Sequence, residues 1–435
     1  MKKYFFAVGL LVSVMGYAQA QDVNASADSV KAEIASLQER TEQLESTVNK
    51  MGKLKITGYI QAQMEMGQKD ASLKVGGSNE KKDDWFTRFG IRRGRLKFVY
   101  SNFGGNIVFQ LDVTEKGVGF KDAYLDYTLP KKLNFVTLKA GVFDRPFGDE
   151  IKYSSSKREM PERSLVFQTL FPEERDLGAE IKLQAPKGHM LNFLKLEAAL
   201  VAGNGIKMET DNRKDLIMHL HGSKKYDNWS WGLGTSFYNG GVYQSTDTVY
   251  KMEGDKFVAN IAEGNKGKNA KRQYFGFDGQ VSFDNPLGFT QFRAEYVWGT
   301  QPGSSSSSKS PNYSYLPGSS KGDDAFNTYI RPFRGGYLTY VQNIGKSKFD
   351  FVGKYNFYDP NTKVKGDEVG AAGSNTNKTD LATQIVELGL LYRVNTNISV
   401  MANYAFYMNE TSANVKGYEK QRKDDTFTLR AQYKF

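Results

Sequence analysis

The stretch Asp425-Thr-Phe-Thr-Leu-Arg-Ala-Gln-Tyr-Lys-Phe435 decides the fold. Phe427, Leu429, Ala431, Tyr433 and Phe435 fall on one face of an extended strand, and Thr428, Arg430, Gln432 and Lys434 on the other. Successive strand side chains point to opposite faces, so this is a ribbon with one greasy and one wet side, carried to the terminal aromatic. A closing strand with lipid outside and water inside has this pattern. An edge strand of a soluble sandwich is the alternative reading of these eleven residues taken alone.

Composition supports the first reading. The 435 residues include 43 Gly, 25 Tyr and 29 Phe against 3 His and 11 Pro, as expected of many short strands with aromatic girdles. Mean hydropathy is −0.55, and no later stretch approaches the ~18 apolar residues of a spanning helix. A barrel hides its hydrophobicity by alternation, so this low average is compatible with membrane insertion. Cysteine is absent, which removes disulfides, thiolate chemistry, thiolate metal sites and lipid attachment through cysteine.

At the N-terminus, Lys2 and Lys3 precede an apolar run, and Ala18-Gln19-Ala20 has the small-x-small form of a signal-peptidase site. The expected organisation is a signal peptide over 1–20, a periplasmic coiled-coil segment over 21–52 and a transmembrane β-barrel over 53–435. Within 27–51, Val30, Ile34, Leu37, Thr41, Leu44, Val48 and Met51 recur at spacings of four and three, a seam of about three heptads. A short parallel coiled coil fits this seam better than a lone amphipathic helix, because the flanking chain offers no soluble core to receive it. Three heptads are marginal alone, so association would depend on the barrels.

From Leu54 to Phe435 about sixteen strand-like segments follow, the first over Leu54–Gly67 and the last over Asp424–Phe435. Short links such as Leu129-Pro130-Lys131-Lys132 and Val394-Asn395-Thr396-Asn397 alternate with long polar stretches such as 240–271 and 359–380. Short turns at one end and long loops at the other belong to an antiparallel bacterial outer-membrane barrel. The fold class is therefore all-β, a transmembrane antiparallel barrel of about sixteen strands preceded by a helix.

The wet faces carry the candidate function. Removing Lys2 and Lys3 lowers the formal charge from +11 to +9, an excess that favours anions in a pore. The cations are spread along strands instead of forming one patch, which argues against nucleic acid. Arg88-Phe-Gly-Ile-Arg-Arg-Gly-Arg-Leu-Lys97 is the densest basic run. If Leu96, Phe98 and Tyr100 meet lipid, Arg93, Arg95 and Lys97 line the lumen at successive heights, with Arg92 on the opposite face. Such a ladder would replace part of an anion's hydration shell. Equally, these cations pair with Asp112, Asp122 and Asp126 on the next strands and stiffen the wall. Lys139, Arg293 and Arg430 also lie on polar strand faces and join the expected anion path.

No catalytic constellation, phosphate loop or dinucleotide fingerprint occurs, so neither an enzyme nor a cofactor is expected. His219 and His221 share a strand face and could hold a metal weakly, but they read better as a lumen or surface pair.

Lys55-Ile-Thr-Gly-Tyr-Ile-Gln61, Arg92-Arg-Gly-Arg-Leu-Lys97, Lys121-Asp-Ala-Tyr-Leu-Asp-Tyr127, Gly141-Val-Phe-Asp-Arg-Pro-Phe-Gly148 and Glu174-Arg-Asp-Leu-Gly178 together resemble the porin O and P family, the phosphate-selective porins. The resemblance implies a homotrimeric channel for small anionic solutes such as phosphate. It also implies a third long loop, here 144–176, that enters the lumen, with Arg145 and Arg163 on the anion path. That loop holds six cations against eight carboxylates, so by itself it is no positive filter. A membrane-anchored tether or adhesin, its N-terminal helix gripping the cell wall or a partner, is the competing expectation.

The position of Phe435 marks it as the sorting signal read by the outer-membrane barrel assembly machinery. Changing Phe435→Ser should lower the folded, heat-modifiable protein in the outer membrane several-fold without altering export. Unchanged yield on semi-native electrophoresis would overturn this.

Overall fold

A computed structural model describes residues 36–43, 52–77, 84–207, 209, 211–310 and 327–435. Residues 36–43 are helical and exposed, and belong to a unit separate from that beginning at Lys55. The signal peptide and the rest of the expected heptad seam lie outside the described residues.

The strands are β1 Leu54–Gln68, β2 Trp85–Asn102, β3 Gly105–Thr114, β4 Gly117–Thr128, β5 Val136–Asp144, β6 Arg175–Gln184, β7 Leu194–Val201, β8 Asp215–Lys225 and β9 Trp229–Tyr243. They continue as β10 Thr248–Glu253, β11 Lys256–Ile261, β12 Asn269–Asn285, β13 Gly288–Gly303, β14 Thr328–Asn343, β15 Phe349–Asp359, β16 Thr383–Arg393, β17 Ile398–Asn409 and β18 Thr426–Lys434. Sequential strands pair antiparallel, β9 pairs with β12, and β1 pairs with both β2 and β18. The result is a closed barrel of sixteen strands, without an exposed edge to recruit other chains. Gly58 and Phe435 exchange backbone hydrogen bonds (3.2 and 3.0 Å), so the terminal strand seals the ring to the first.

The remaining two strands form a hairpin, β10–β11, within the stretch expected to be a plain loop. It closes through Glu253↔Lys256, and β10 also pairs parallel with the outer end of β14 at Val249↔Thr328. Two six-residue alternating runs around Gly254-Asp255 were a hairpin signal. The glycine and charge of the surroundings obscured it. Tyr250 stacks on Tyr329 with centroids 4.3 Å apart, holding the loops together on that side.

The barrel is apolar outside and polar within. Leu429, Tyr433 and Phe435 on the last strand are exposed, while Thr428 and Arg430 between them are buried inside. On β15, Phe349, Phe351 and Tyr355 face outward and Asp350, Lys354 and Asn356 inward. Water and a polar loop inside, and hydrocarbon outside, account for this inversion of a soluble core.

One strand departs from strict alternation. Phe89 on β2 is 72 % exposed, and Tyr100 is also outward, an odd and an even position. The face therefore changes between them, and Arg92 and Arg93 both point inward to the same carboxylate, Glu162. The expectation that Arg92 faces away from the lumen is thus corrected.

Candidate functional site

The segment 145–174 between β5 and β6 folds into the barrel and crosses it. Its first turn is set by Gly148, at φ +60° and so close to β13 that a Cβ would lie 2.1 Å from Glu295 Oε2. Only glycine tolerates both the left-handed backbone and that approach. The buried Glu295 carboxylate accepts the backbone N–H of Asp149 (3.1 Å), the N–H of Glu150 and the Tyr337 hydroxyl (2.7 Å). Ser236 Oγ on β9 accepts the Gly148 N–H at 2.9 Å.

Apolar side chains of the loop then press onto the neighbouring wall. Phe147, Val166, Phe167, Leu170 and Phe171 are fully buried against Tyr238, Tyr274, Val297, Phe333 and Tyr337. Val166, Phe167 and Leu170 come from the short helix Leu165–Leu170, whose Leu165 N–H donates to Asn356 Oδ1 on β15 at 3.1 Å. Burying each large side chain contributes roughly 1.5–3 kcal/mol. Glu150 continues the anchoring, accepting from Lys354 Nζ at 2.7 Å and from Ser164 Oγ at 2.7 Å.

The far side of the loop reaches the seam where the barrel closes. Glu162 accepts from Arg92 (2.8 Å) and Arg93 (2.7 Å) on β2 and from Arg430 (3.1 Å) on β18. Arg430 also donates to Pro161 O at 2.8 Å, and Gln61 on β1 donates to Ser155 O at 3.0 Å. The loop is therefore a bridge across the lumen. A cavity of about 290 Å³ remains between it and β1–β4, lined among others by Arg95, Lys97, Gln110, Asp122, Lys152 and Arg163.

Residues 62–435 match the family described as phosphate-selective porin O and P. The chain belongs to that family. It is an outer-membrane porin, a water-filled channel for passive diffusion, and its family consists of channels and not enzymes. The fold is similar to the anion-selective porin from Comamonas acidovorans, at 10% identity and TM-score 0.51, covering 88% of this chain and 99% of that one. It is also similar to Salmonella typhi OmpF in complex with daunomycin (12% identity, TM-score 0.51, 88% and 97% covered). The trimer form of Vibrio cholerae OmpT gives 11% identity and TM-score 0.50, with 88% and 99% covered. At such identities the likeness shows the fold alone. No curated protein matches.

Seen as parts of a porin, the expected path residues separate into groups. Arg93 and Arg430 meet at Glu162. Arg95 sits 3.4 Å from Asp112 and Lys97 3.9 Å from Asp122, both beside the cavity, so the pairing with β3 and β4 carboxylates holds for these two. Asp126 takes Asn106 Nδ2 at 2.7 Å. Arg163 reaches the same cavity while bonded to Glu174 and to the carbonyls of Glu150 and Ile151. Lys139 pairs with Glu180 at 2.7 Å, away from that cavity. Arg293 pairs with Glu159 on the other side of the loop. Arg145 is fully buried 3.0 Å from Asp176, with no face turned to solute, so its place on the path is corrected to that of a loop-root ion pair. Lys152 and Arg175 line the cavity and were not singled out from sequence. Lys152 comes inward only once the loop has folded back, and Arg175 opens β6 at the root of the loop.

Burial opposes ionisation of Glu162, but Arg93, Arg92 and Arg430 outweigh it and hold its carboxyl well below the usual carboxylate range. Glu174 is held likewise, burial being overcome by Arg163, Arg175 and Lys121. Burial also lowers the Lys152 ammonium, opposed by Glu197.

Because the folded-state pKa of Glu162 is depressed, its ion pairing supports the docked loop above the ordinary carboxyl range, ~4.3, and fails only as pH falls through the lower folded value. Protonation of Glu162 should by itself leave the docked loop and the conductance unchanged from pH 7 to about 4. Glu162→Gln leaves three guanidiniums without their counter-charge, at a cost of about 3–5 kcal/mol, and should alter conductance already at pH 7. A variant that conducts like the parent at every pH would overturn the bridging role.

Proposed function

We propose that this porin conducts small anions, phosphate among them, in preference to cations, and works as a homotrimer with its N-terminal coiled coil in the periplasm. The observation that carries the selectivity is the charge of the cavity beside the loop. Arg95, Lys97, Lys152, Arg163, Arg175 and Lys434 face it, against the carboxylate side chains of Asp122 and Asp144. Flanking carboxylates engage several of these cations, yet Lys97 keeps 36 % of its side chain exposed and its nearest carboxylate oxygen is 3.9 Å away. A cationic lining confined by low-dielectric walls concentrates anions and raises their entry rate. Arg93 and Arg430 serve chiefly to hold the loop, and Lys139 and Arg293 to stiffen the wall.

Selectivity is tested by the zero-current potential across a planar bilayer in a salt gradient. Ionic strength must stay low, since the Debye length at ~0.1 M is only ~10 Å. Changing Arg95, Lys97 and Lys152 together to Gln should lower the anion-to-cation permeability ratio roughly threefold or more. Changing Lys187, in a turn at the short-link end, should not. An unchanged ratio in the triple variant would leave a general porin with a basic but unselective wall.

The trimer rests on the family and on the heptad seam, and one of the similar structures is described as a trimer form. Sedimentation of the mature protein in mild detergent should give a heat-dissociable trimer, weakened but retained on deleting 22–51. Monomers alone for the intact protein would exclude it.

A further inference from the structure

On the inner wall next to the loop anchor, β8, β9 and β12 bring His219, His221 and Asp278 together. His221 lies opposite Gly234 on β9, which lies opposite Asp278 on β12, which lies opposite Glu295 on β13. One strand over from His219 is Glu197 on β7. The intervening strand would normally separate β8 from β12 by its side chain. Gly234 has none, and a Cβ there would lie 2.3 Å from Asp278 Oδ2 and 2.6 Å from His219 Nε2. The glycine therefore creates the space in which the three side chains meet.

The three side chains lie within the span of a coordination set, with His219 Nε2 and Asp278 Oδ2 hydrogen-bonded to each other. His219 Nε2 is 3.0 Å from Asp278 Oδ2, and His221 Nδ1 is 3.5 Å from Asp278 Oδ1. One donor atom from each of the three residues lies within 4.8 Å of the others. Two ligands bonded at ~2.1 Å to one tetrahedral ion sit roughly 3.4 Å apart. His219 is 98 % buried, yet its Nδ1 has no hydrogen-bond partner, nor has Nδ1 of His221. Glu197 Oε2 stands 4.0 Å behind His219 Nδ1 while paired with Lys152 and, at 3.3 Å, with Lys195, a fixed carboxylate on the side of the imidazole away from the cluster.

We propose that His219, His221 and Asp278 form a binding site for a divalent transition-metal ion of the zinc type, with Glu197 as the positioning carboxylate. Two imidazoles and one carboxylate suit zinc, nickel or copper(II), and leave a coordination position open to water. Calcium and magnesium, which seek oxygen-rich sets, are disfavoured. Because His221 is only partly buried, an ion can enter from the water of the lumen.

The test is isothermal titration of the untagged full-length protein in detergent with zinc chloride at pH 7.5. One zinc per chain is expected, with affinity lowered at least tenfold by His219→Gln, His221→Gln or Asp278→Asn, and unchanged by His189→Gln. His189 is the one other histidine of the chain and is exposed in a turn. Gly234→Ser should also abolish binding by filling the gap. Protection of the parent protein needs no variant. Zinc should shield His221, whose side chain is partly exposed, from diethylpyrocarbonate, read by peptide mass, while His189 stays reactive. Binding that persists in the double His219→Gln, His221→Gln variant, or modification of His221 that is the same with and without zinc, would overturn the proposal.

Discussion

The channel depends on one carboxylate placed inside a ring of guanidiniums. Glu162 joins the loop to β2 through Arg92 and Arg93 and to β18 through Arg430, so a single side chain ties the bridge to the seam where the barrel closes. Losing one partner of such a group would leave buried charge uncompensated, which is costlier than never having built it. The loop is thus held by charge at one end and by apolar packing at the other. Phe147, Phe167 and Phe171 supply the packing, and the Gly148 turn on Glu295 sets where it begins.

This arrangement lets a polar interior be rigid. Beyond the aromatic cluster at the loop anchor, the lumen is polar, and long cationic side chains alone would move freely. Instead the wall cations are mostly paired, Arg95 with Asp112 and Lys139 with Glu180 among them. The cost of fixing these side chains is offset by hydrogen bonds in a partly desolvated space. On the proposed reading, what is left for solute is the minority of charge that faces open water, chiefly around Lys97. Selectivity then reflects a residual field and not the formal count of basic residues.

The histidine cluster obeys the same geometric logic. Strand pairing sets the rows, and a glycine in the middle of one row lets side chains two strands apart touch. Gly148 plays the corresponding part for the loop. In both places absence of a side chain is what assembles the charged group. A reading of the charged residues alone passes over it.

Much of this protein was legible because alternation is local. A strand with lipid on one side declares itself within about ten residues, so the sixteen barrel strands, the outward aromatics of β15 and β18 and the inward Arg95 and Lys97 follow from the sequence. The run around Arg92 misleads for the same reason: a change of face within a strand leaves no mark in a strictly alternating count. Partnership was not legible. Arg430 meets Glu162 from 268 residues away and His219 meets Asp278 from 59 residues away. Such contacts are set by ring closure and by the path of the loop across the lumen, and these exist only in the folded barrel. Apart from the run around Arg92, the sequence by itself determined which strand residues point inward. The tertiary structure decided which of those faces are spent on one another and which remain for a solute, because that depends on distances no stretch of chain contains.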